Sequence, residues 1–303
     1  MKKLQLSSLV FVSMLLLLNS CQKPDQEIVP TKESEVGVSN KTAKQSLLPC
    51  PQQVFALVLG GNGGSPIPAG YLSYICKVDL CTNPVGFSFI SQLKINNVAV
   101  TDVTGICDNP GIVDFGYAVT GINSNFPKKL LRFQISTGIS NIVNATTDAL
   151  QDIEYYPPTN LYVAIKEGTS QLMKVAVPSG ICTAFSPVGP TSQYNGLTVV
   201  GNKLQAISGN TTLICNPTSG DIFEYPATGG NYTGKYSYKN LAANSPWTMK
   251  ELGFYFDDCC QKRWVVGSSN GFLSHNLNIT PCILPNPNFL INTKPIYDFM
   301  SKK

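Results

Sequence analysis

The chain has 303 residues, of which 13% are charged, and a formal net charge of +4. Its 22 basic and 18 acidic residues form no basic run, so the sequence has no electrostatic footprint for nucleic acid and excludes that class of partner. Glycine and proline number 25 and 21, and Tyr and Phe are plentiful. With no Ala-, Glu- and Lys-rich stretches, this composition is typical of an exported all-β protein with many turns.

The N-terminus begins with an export signal. Lys2 and Lys3 precede an uncharged apolar run at residues 9–18, which is shorter than the ~20 residues of a membrane-spanning helix and has the proportions of a signal-peptide core. The run ends in Leu18-Asn19-Ser20-Cys21, which resembles the lipobox of bacterial lipoproteins. The resemblance implies that residues 1–20 are removed and that Cys21 becomes the acylated first residue, with the lipid bilayer as its partner. An ordinary secretory signal with an incidental cysteine is the alternative.

Polar and acidic residues follow the cysteine. The run Gln22-Lys23-Pro24-Asp25-Gln26-Glu27 is similar to the surface-export signals of Bacteroidetes lipoproteins. The resemblance implies an outer-membrane lipoprotein, and both a surface-exposed and a periplasm-facing location remain open. Residues 22–46 have no apolar periodicity and cannot bury enough surface to fold. We therefore assign residues 21–48 to a lipidated N-terminus and flexible tether, and residues 49–303 to the folded domain.

Three segments of that domain repeat one pattern of strand, strand, strand, turn and strand. The third strand of each unit leads into a Ser/Thr-Gly turn, at Gly138, Gly180 and Gly220. Glycine suits such turns because it adopts positive φ without steric cost. The spacing of 42 and 40 residues between the glycines predicts the four-stranded antiparallel blades of a β-propeller.

Two less regular copies flank these units. Residues 54–59 and 72–80 read as inner strands of a first blade, and residues 252–276 read as a last blade. The first blade lacks an opening strand, which residues 295–299 supply if the C-terminus closes the ring and removes the free sheet edges. The predicted fold class is all-β, a propeller of about five four-stranded blades. A sixth blade is possible if residues 83–103 or 229–250 form one. Tandem β-sandwiches are the alternative.

The cysteines indicate an oxidising compartment. Ten are present, and lipidation of Cys21 leaves nine, so at most four disulfides form and at least one thiol remains. We expect disulfide bonds without assigning their pairs. The single histidine, His275, excludes zinc-finger-type Cys/His clusters, and we expect no metal or other cofactor.

Catalytic residues are not assigned. The enzyme hypothesis considered is a glycoside hydrolase, which needs a pair of carboxylates acting as acid and as base or nucleophile. Its weak candidates lie near the early strands of successive blades: Asp114, Glu154, Asp257 and Asp258. The competing interpretation is that these carboxylates serve turns and strand ends.

The sequence favours a non-catalytic function. A propeller on a lipid tether presents loops on a rigid frame, where recognition usually resides. We therefore expect a lipid-anchored binding or interaction module of the cell envelope or cell surface, with a protein or glycan as ligand. Hydrolysis of glycosides and a structural role in an outer-membrane assembly are the alternatives.

Overall fold

The structure, a computed structural model, describes nine stretches of the chain: residues 53–60, 72–79, 86–209, 219–239, 252–257, 262–267, 271–275, 289–290 and 296–302. They belong to one compact unit, residues 48–303. Apart from one 3-10 turn, Pro157–Thr159, their regular structure is all strand. In these stretches no helix has the length and apolar character needed to cross a membrane.

Five four-stranded antiparallel sheets form the blades of a β-propeller, which confirms the predicted fold class. Blade I contains β1 (Gln53–Gly60), β2 (Leu72–Asp79), β3 (Gly86–Gln92) and the C-terminal β22 (Ile296–Lys302), and a small hairpin follows it, β4 (Lys94–Ile95) with β5 (Val98–Ala99). Blade II contains β6 (Val103–Asp108), β7 (Phe115–Thr120), β8 (Lys129–Gln134) and β9 (Ser140–Ala145). Blade III contains β10 (Leu150–Tyr156), β11 (Leu161–Lys166), β12 (Leu172–Val175) and β13 (Cys182–Ala184).

The last two blades follow the same order. Blade IV contains β14 (Gly196–Val200), β15 (Lys203–Gly209), β16 (Ser219–Tyr225) and β17 (Gly234–Lys239). Blade V contains β18 (Leu252–Asp257), β19 (Lys262–Gly267), β20 (Gly271–His275) and β21 (Phe289–Leu290). Blades II to V are meanders, in which each strand pairs with the next strand in the chain, and in blade I the C-terminal β22 lies beside β1.

The C-terminal strand closes the ring. β22 pairs antiparallel with β1, with Ala56 opposite Phe299 and Phe55 opposite Met300. This confirms the prediction that the C-terminus supplies the opening strand of blade I. The first strands of the blades contact one another in the cyclic order β22, β6, β10, β14, β18 and back to β22. The ring of inner strands is therefore closed around the propeller axis, and each inner strand contacts the inner strands of the two adjacent blades.

The apolar core lies between adjacent blades, where the described side chains form three clusters of buried residues. One cluster joins blades I and II through residues such as Leu57, Ile75, Leu131 and Phe133. A second joins blades II and III, and a third, rich in aromatic residues, joins blades III and IV. In strand β1, for example, the seven consecutive residues after Gln53 are buried, because both faces of the strand are covered.

The turn glycines bring each blade against the one before it. Gly138 and Gly180 have φ of 73° and 74°, as predicted for the turns before β9 and β13. A Cβ at Gly138 would lie 2.0 Å from the Gln92 carbonyl oxygen, and one at Gly180 would lie 2.1 Å from that of Ala145. Glycine is therefore required twice over, by its positive φ and by the close approach to the preceding blade.

The turn predicted at Gly220 is wrong. Gly220 lies inside β16 opposite Tyr238, and the turn before β17 instead contains Gly229, with φ of 76°. A Cβ at Gly229 would lie 2.4 Å from the Phe185 carbonyl oxygen of blade III, so it occupies the place of Gly138 and Gly180. The strand predicted before Gly220 stopped short of the residues that enter the core. Those residues are Phe223 and Tyr225 of β16, which are buried between the blades.

Two thiols limit the predicted disulfides. Cys107 on β6 and Cys182 on β13 are free. Of the nine cysteines after Cys21, seven then remain, enough for three disulfides at most rather than four. The structure gives the predicted disulfides no support, and six of those seven lie outside the described residues: Cys50, Cys81, Cys215, Cys259, Cys260 and Cys282.

Candidate functional site

The inner strands carry a short repeated sequence. In each of them an Asp or Gly precedes a large apolar residue: Asp298-Phe299, Gly105-Ile106, Asp152-Ile153, Gly196-Leu197 and Gly253-Phe254. In three blades a register shift comes just before this position, and it skips Thr104, Gln151 or Tyr297. Such a β-bulge turns the following side chain away from its regular direction. The bulges thereby set the orientation of Asp152 and Asp298.

These two aspartates connect neighbouring blades. Asp298 Oδ1 accepts a hydrogen bond from Phe299 N at 2.7 Å, and its Oδ2 accepts one from Ile106 N of blade II at 2.6 Å. Asp152 repeats the arrangement, with Ile153 N and with Leu197 N of blade IV, both at 2.6 Å. The side chains are 1% and 3% exposed. Each carboxylate therefore accepts hydrogen bonds from two backbone N–H groups, one in its own strand and one in the inner strand of the next blade.

The two carboxyl groups also interact with each other. Burial raises the pKa of Asp152 to about 6, although hydrogen bonds, including one from Asp298, lower it in part. Burial and the charge of Asp152 raise the pKa of Asp298 well above its usual value. Like charges that close together disfavour double ionisation. The pair therefore retains a shared proton at a pH where exposed aspartates are fully ionised.

Glu154, one of the predicted carboxylates, lies on β10 next to this pair. Burial, followed by the charges of Asp152 and Asp108, raises its pKa well above the usual value. Asp108 forms an ion pair with Lys302, whose ammonium also donates to the Ile112 carbonyl oxygen at 2.9 Å. The acidic groups of β6, β10 and β22 thus lie together around the propeller axis.

Asp114 occupies a turn, as the alternative interpretation of the sequence predicted. It precedes β7 with φ of 67° and accepts hydrogen bonds from Ser136 N at 2.8 Å and from Gln134 Nε2 at 2.9 Å. Slight burial raises its pKa, but the hydrogen bonds from Ser136 and Gln134 outweigh it and leave the pKa lowered. Asp257 is the last residue of β18, and Asp258 lies outside the described residues. The structure therefore places Asp114 and Glu154 in different surroundings, one in a turn and one at the axis.

Sequence reasoning missed the carboxyl pair of Asp152 and Asp298. The signal was the Asp-apolar dipeptide at the bulge of two inner strands. All four oxygens of the pair are engaged by backbone N–H groups, and the side chains are buried, so the arrangement is one of blade assembly rather than of an open hydrolytic site. In the described part of the chain, no group of three or more His, Cys, Asp or Glu side chains is placed to hold a metal ion.

Away from the axial carboxyl groups, a pocket lies where blades III and IV meet. It has a volume of about 190 Å³ and is lined by residues 187–190 of the loop after β13, and by Tyr225, Asn231 and Tyr232 of blade IV. We call it the seam pocket. Sequence analysis did not identify it, because its two walls are 35 or more residues apart and share no motif.

The aromatic wall of the seam pocket is fixed by its neighbours. The hydroxyl groups of Tyr194 and Tyr225 are hydrogen-bonded at 2.5 Å, and burial raises the pKa of both phenols. The Tyr232 ring packs edge-on against Phe223, with centroids 5.2 Å apart, and against Tyr225 at 6.5 Å. Tyr232 is nevertheless 41% exposed. It presents a large aromatic surface that does not need to move in order to meet a ligand.

The loop wall is equally constrained. Gly189 N donates to the Ser170 carbonyl oxygen at 2.9 Å, and Ser170 Oγ donates to the Gly189 carbonyl oxygen at 3.0 Å. A Cβ at Gly189 would lie 2.2 Å from the Tyr194 hydroxyl, so glycine permits the loop to approach the phenol. On the other side, Gly230 N donates to the Phe185 carbonyl oxygen at 2.8 Å. The pocket is therefore preformed at the junction of two blades.

Comparison with known proteins shows similarity at the level of solved structures only. No protein-family model matches the chain, and no curated protein sequence matches it. A protein of unknown function from Bacteroides thetaiotaomicron VPI-5482 aligns with a TM-score of 0.44 and 13% identity, over 70% of this chain and 53% of its own. This chain thus spans about half the length of that protein.

Two further structures have comparable scores. A chain of a nidogen/laminin complex aligns with a TM-score of 0.47 and 9% identity, covering 82% of this chain and 97% of its own. Hydrazine synthase from Kuenenia stuttgartiensis gives 0.41 and 10%, over 74% of this chain and 61% of its own. These scores are too low to carry an argument about function, and the assignment of the propeller depends on the five sheets themselves.

Proposed function

We propose that this protein is a lipid-anchored β-propeller of the cell envelope whose function is to bind a ligand in the seam pocket. The observation that carries the proposal is the preformed pocket of aromatic and amide side chains between blades III and IV. Ligand sites are usually concave, largely preformed and lined by aromatic groups with a few polar ones. The axial carboxylates give the hydrolase alternative less support, because their oxygens are occupied by backbone donors.

The anchor in this proposal is Cys21. The apolar run at residues 9–18 and the lipobox-like residues before Cys21 support acylation there. Two or three acyl chains bury many methylenes at about 0.8 kcal/mol each and hold a protein stably on a bilayer. The polar residues 22–48 then act as a tether that presents the propeller to the outer surface or to the periplasm.

Anchoring is tested by fractionation and protease digestion. We expect the wild-type protein in the membrane fraction and a Cys21→Ser variant in the soluble fraction. Digestion on intact cells supports surface display, whereas protection until lysis supports the periplasmic face. Recovery of the Cys21→Ser variant entirely in the membrane fraction would contradict anchoring by acylation.

Binding is tested by saturation-transfer NMR of the purified protein with a mixed set of small neutral, anionic, cationic and aromatic compounds. We expect at least one compound to bind the wild-type protein and to lose its signal in Tyr232→Ala. The matched control is Tyr155→Ala on β10, a tyrosine whose hydroxyl bonds to Asn160 away from the pocket. If no compound binds, or if Tyr232→Ala binds every compound as the wild type does, the seam pocket is not the functional site.

A further inference from the structure

We propose that the seam pocket binds a single neutral hexopyranose ring, either as a free sugar or as the terminal residue of a glycan. This inference rests on the proposed binding function and names the ligand class for the same site. Three properties of the pocket lead to it: its size, its lack of charge, and the combination of one exposed aromatic ring with an amide.

The size of the pocket suits one ring. Its volume of about 190 Å³ is below the ~300–1,000 Å³ of pockets that enclose drug-sized ligands. An extended proline-rich peptide advances about 3.1 Å per residue and needs a long groove of aromatic ridges. Here the aromatic wall consists of Tyr225 and Tyr232 at a single point of the blade junction. A compact ring therefore fits better than a chain of residues.

The pocket favours an uncharged ligand. None of the side chains that line it is ionised at neutral pH, since they are proline, valine, glycine, tyrosine and asparagine. Lys235, which lies over the Phe223 ring beside the aromatic wall, is paired with Asp221 at 3.0 Å. An ionic ligand would give up hydration without gaining an opposite charge. A neutral ligand avoids that cost.

The lining is amphipathic in the way that a sugar ring is. The 41% exposed ring of Tyr232 offers an apolar surface to the C–H face of a pyranose. The amide of Asn231 can both donate and accept hydrogen bonds, as sugar hydroxyls do. Val188, 67% exposed on the loop wall, adds an apolar edge. One face of a bound sugar ring would thus contact apolar side chains, and its hydroxyl groups would contact polar ones.

The rigidity of both walls lowers the entropic cost of binding. The Tyr232 ring packs edge-on against both Phe223 and Tyr225, and Gly189 of the loop wall is joined to Ser170 by two hydrogen bonds. A preformed site spends less of its interaction energy on ordering side chains. Measurable affinity for a ligand as small as one ring is therefore expected.

The test titrates the purified protein with methyl β-glucoside, methyl β-galactoside and methyl α-mannoside, and with the charged analogues methyl glucuronide and glucosamine. We expect at least one neutral glycoside to bind with a Kd in the millimolar range, about −4 kcal/mol at 1 mM, and more tightly than its charged analogue. Tyr232→Ala should weaken binding about tenfold or more, as loss of a central aromatic contact does.

Matched variants separate the pocket from unfolding. Tyr232→Phe keeps the ring and should retain binding, and Asn231→Ala should weaken it severalfold. Asn141→Ala, on the exposed face of β9, should leave it unchanged. A disaccharide that binds about tenfold more tightly than its methyl glycoside identifies a glycan terminus as the source, and equal affinity identifies the free sugar.

The outcomes distinguish this inference from the proposed function. If the neutral glycosides do not bind while another class of compound binds in a Tyr232-dependent manner, the sugar inference is wrong and the binding function stands. If glycosides bind equally well to Tyr232→Ala, the sugar site lies elsewhere and the inference is also wrong. If no compound of any class binds, both proposals fail.

Discussion

Asp298 Oδ2 accepts a hydrogen bond from Ile106 N across 2.6 Å, although the two residues are 192 positions apart in the chain. The bond links the C-terminal strand β22 to the inner strand of blade II, in addition to its ladder with β1 in blade I. Ring closure therefore has two components, one within a sheet and one between sheets. Asp152 makes the second type of contact again, from blade III to Leu197 of blade IV.

Removing the Asp298 carboxylate is expected to destabilise the whole propeller. Asp298→Ala removes the carboxylate oxygens to which Ile106 N and Phe299 N donate. Loss of the acceptor of a buried N–H group costs about 1–3 kcal/mol, so the free energy of unfolding should fall by about 2 kcal/mol or more. Urea denaturation followed by circular dichroism measures it.

The matched control is Asp148→Ala, which removes a carboxylate from a partly exposed ion pair with Lys166. Exposed ion pairs contribute about 0–1 kcal/mol, so this variant should lose much less stability. Equal losses in the two variants would show that the Asp298 contacts do not contribute specially to closure.

Stability should fall as the pH rises through the titration of the axial pair. Asp152 has a pKa of about 6 in the folded protein, above the ~3.9 of an unfolded aspartate. The folded state therefore binds more protons over this interval. The contribution of this carboxyl group to stability is fully present below pH ~4 and is lost as the pH rises through about 6. The measurement is the free energy of unfolding between pH 4 and pH 8.

Asp152→Asn identifies the origin of that pH dependence. The variant cannot titrate, and it removes the charge that raises the pKa of Asp298. It should be less stable than the wild type at pH 4, because an amide NH₂ replaces one of two hydrogen-bond acceptors, but its stability should change less with pH. An unchanged slope would place the titration on other groups.

Gly105 should not tolerate a side chain. A Cβ there would lie 2.7 Å from Asp152 Cα and 2.8 Å from Ile153 N, and both are backbone atoms that a rotamer change cannot move. Gly105→Ala should therefore separate blades II and III and lower the melting temperature. Overpacking of this kind typically costs about 1–3 kcal/mol.

The comparison for Gly105 is Gly111→Ala. Gly111 has φ of 78°, and a Cβ at this residue would meet no heavy atom within 4 Å, so its substitution costs only the backbone strain of about 1–2 kcal/mol. We expect Gly105→Ala to be the more destabilised of the two in differential scanning calorimetry. The reverse order would contradict the close approach of β6 to β10.

The two free thiols should differ in reactivity. Cys182 is half-buried and Cys107 is fully buried, and burial, followed by the charge of Glu154, raises the pKa of Cys107 well above its usual value. Because the thiolate is the reactive form, iodoacetamide should label Cys182 in the native protein and Cys107 only after unfolding. Peptide mass spectrometry resolves the sites, and rapid native labelling of Cys107 would contradict its burial.

The propeller could be predicted from sequence because each blade carries its own alternation and turn signals. The strands of blades II and III, the turn glycines Gly138 and Gly180, and the closing C-terminal strand are all confirmed. The prediction was wrong at Gly220, because a strand assignment based on spacing could not show which residues of blade IV enter the core. Phe223 and Tyr225 fix that strand through contacts with blade III.

The candidate sites required the tertiary structure. Asp152 and Asp298 lie 146 positions apart in the sequence. The Asp-apolar dipeptide that they share is a local pattern, and it does not show that the two carboxyl groups meet at the axis. The seam pocket likewise combines a loop of blade III with a turn of blade IV. By itself the sequence determined the blade repeat and its closure, because alternation and turn chemistry are local properties. Only the tertiary structure decided the carboxyl pair and the pocket, because both arise where separate blades pack against each other.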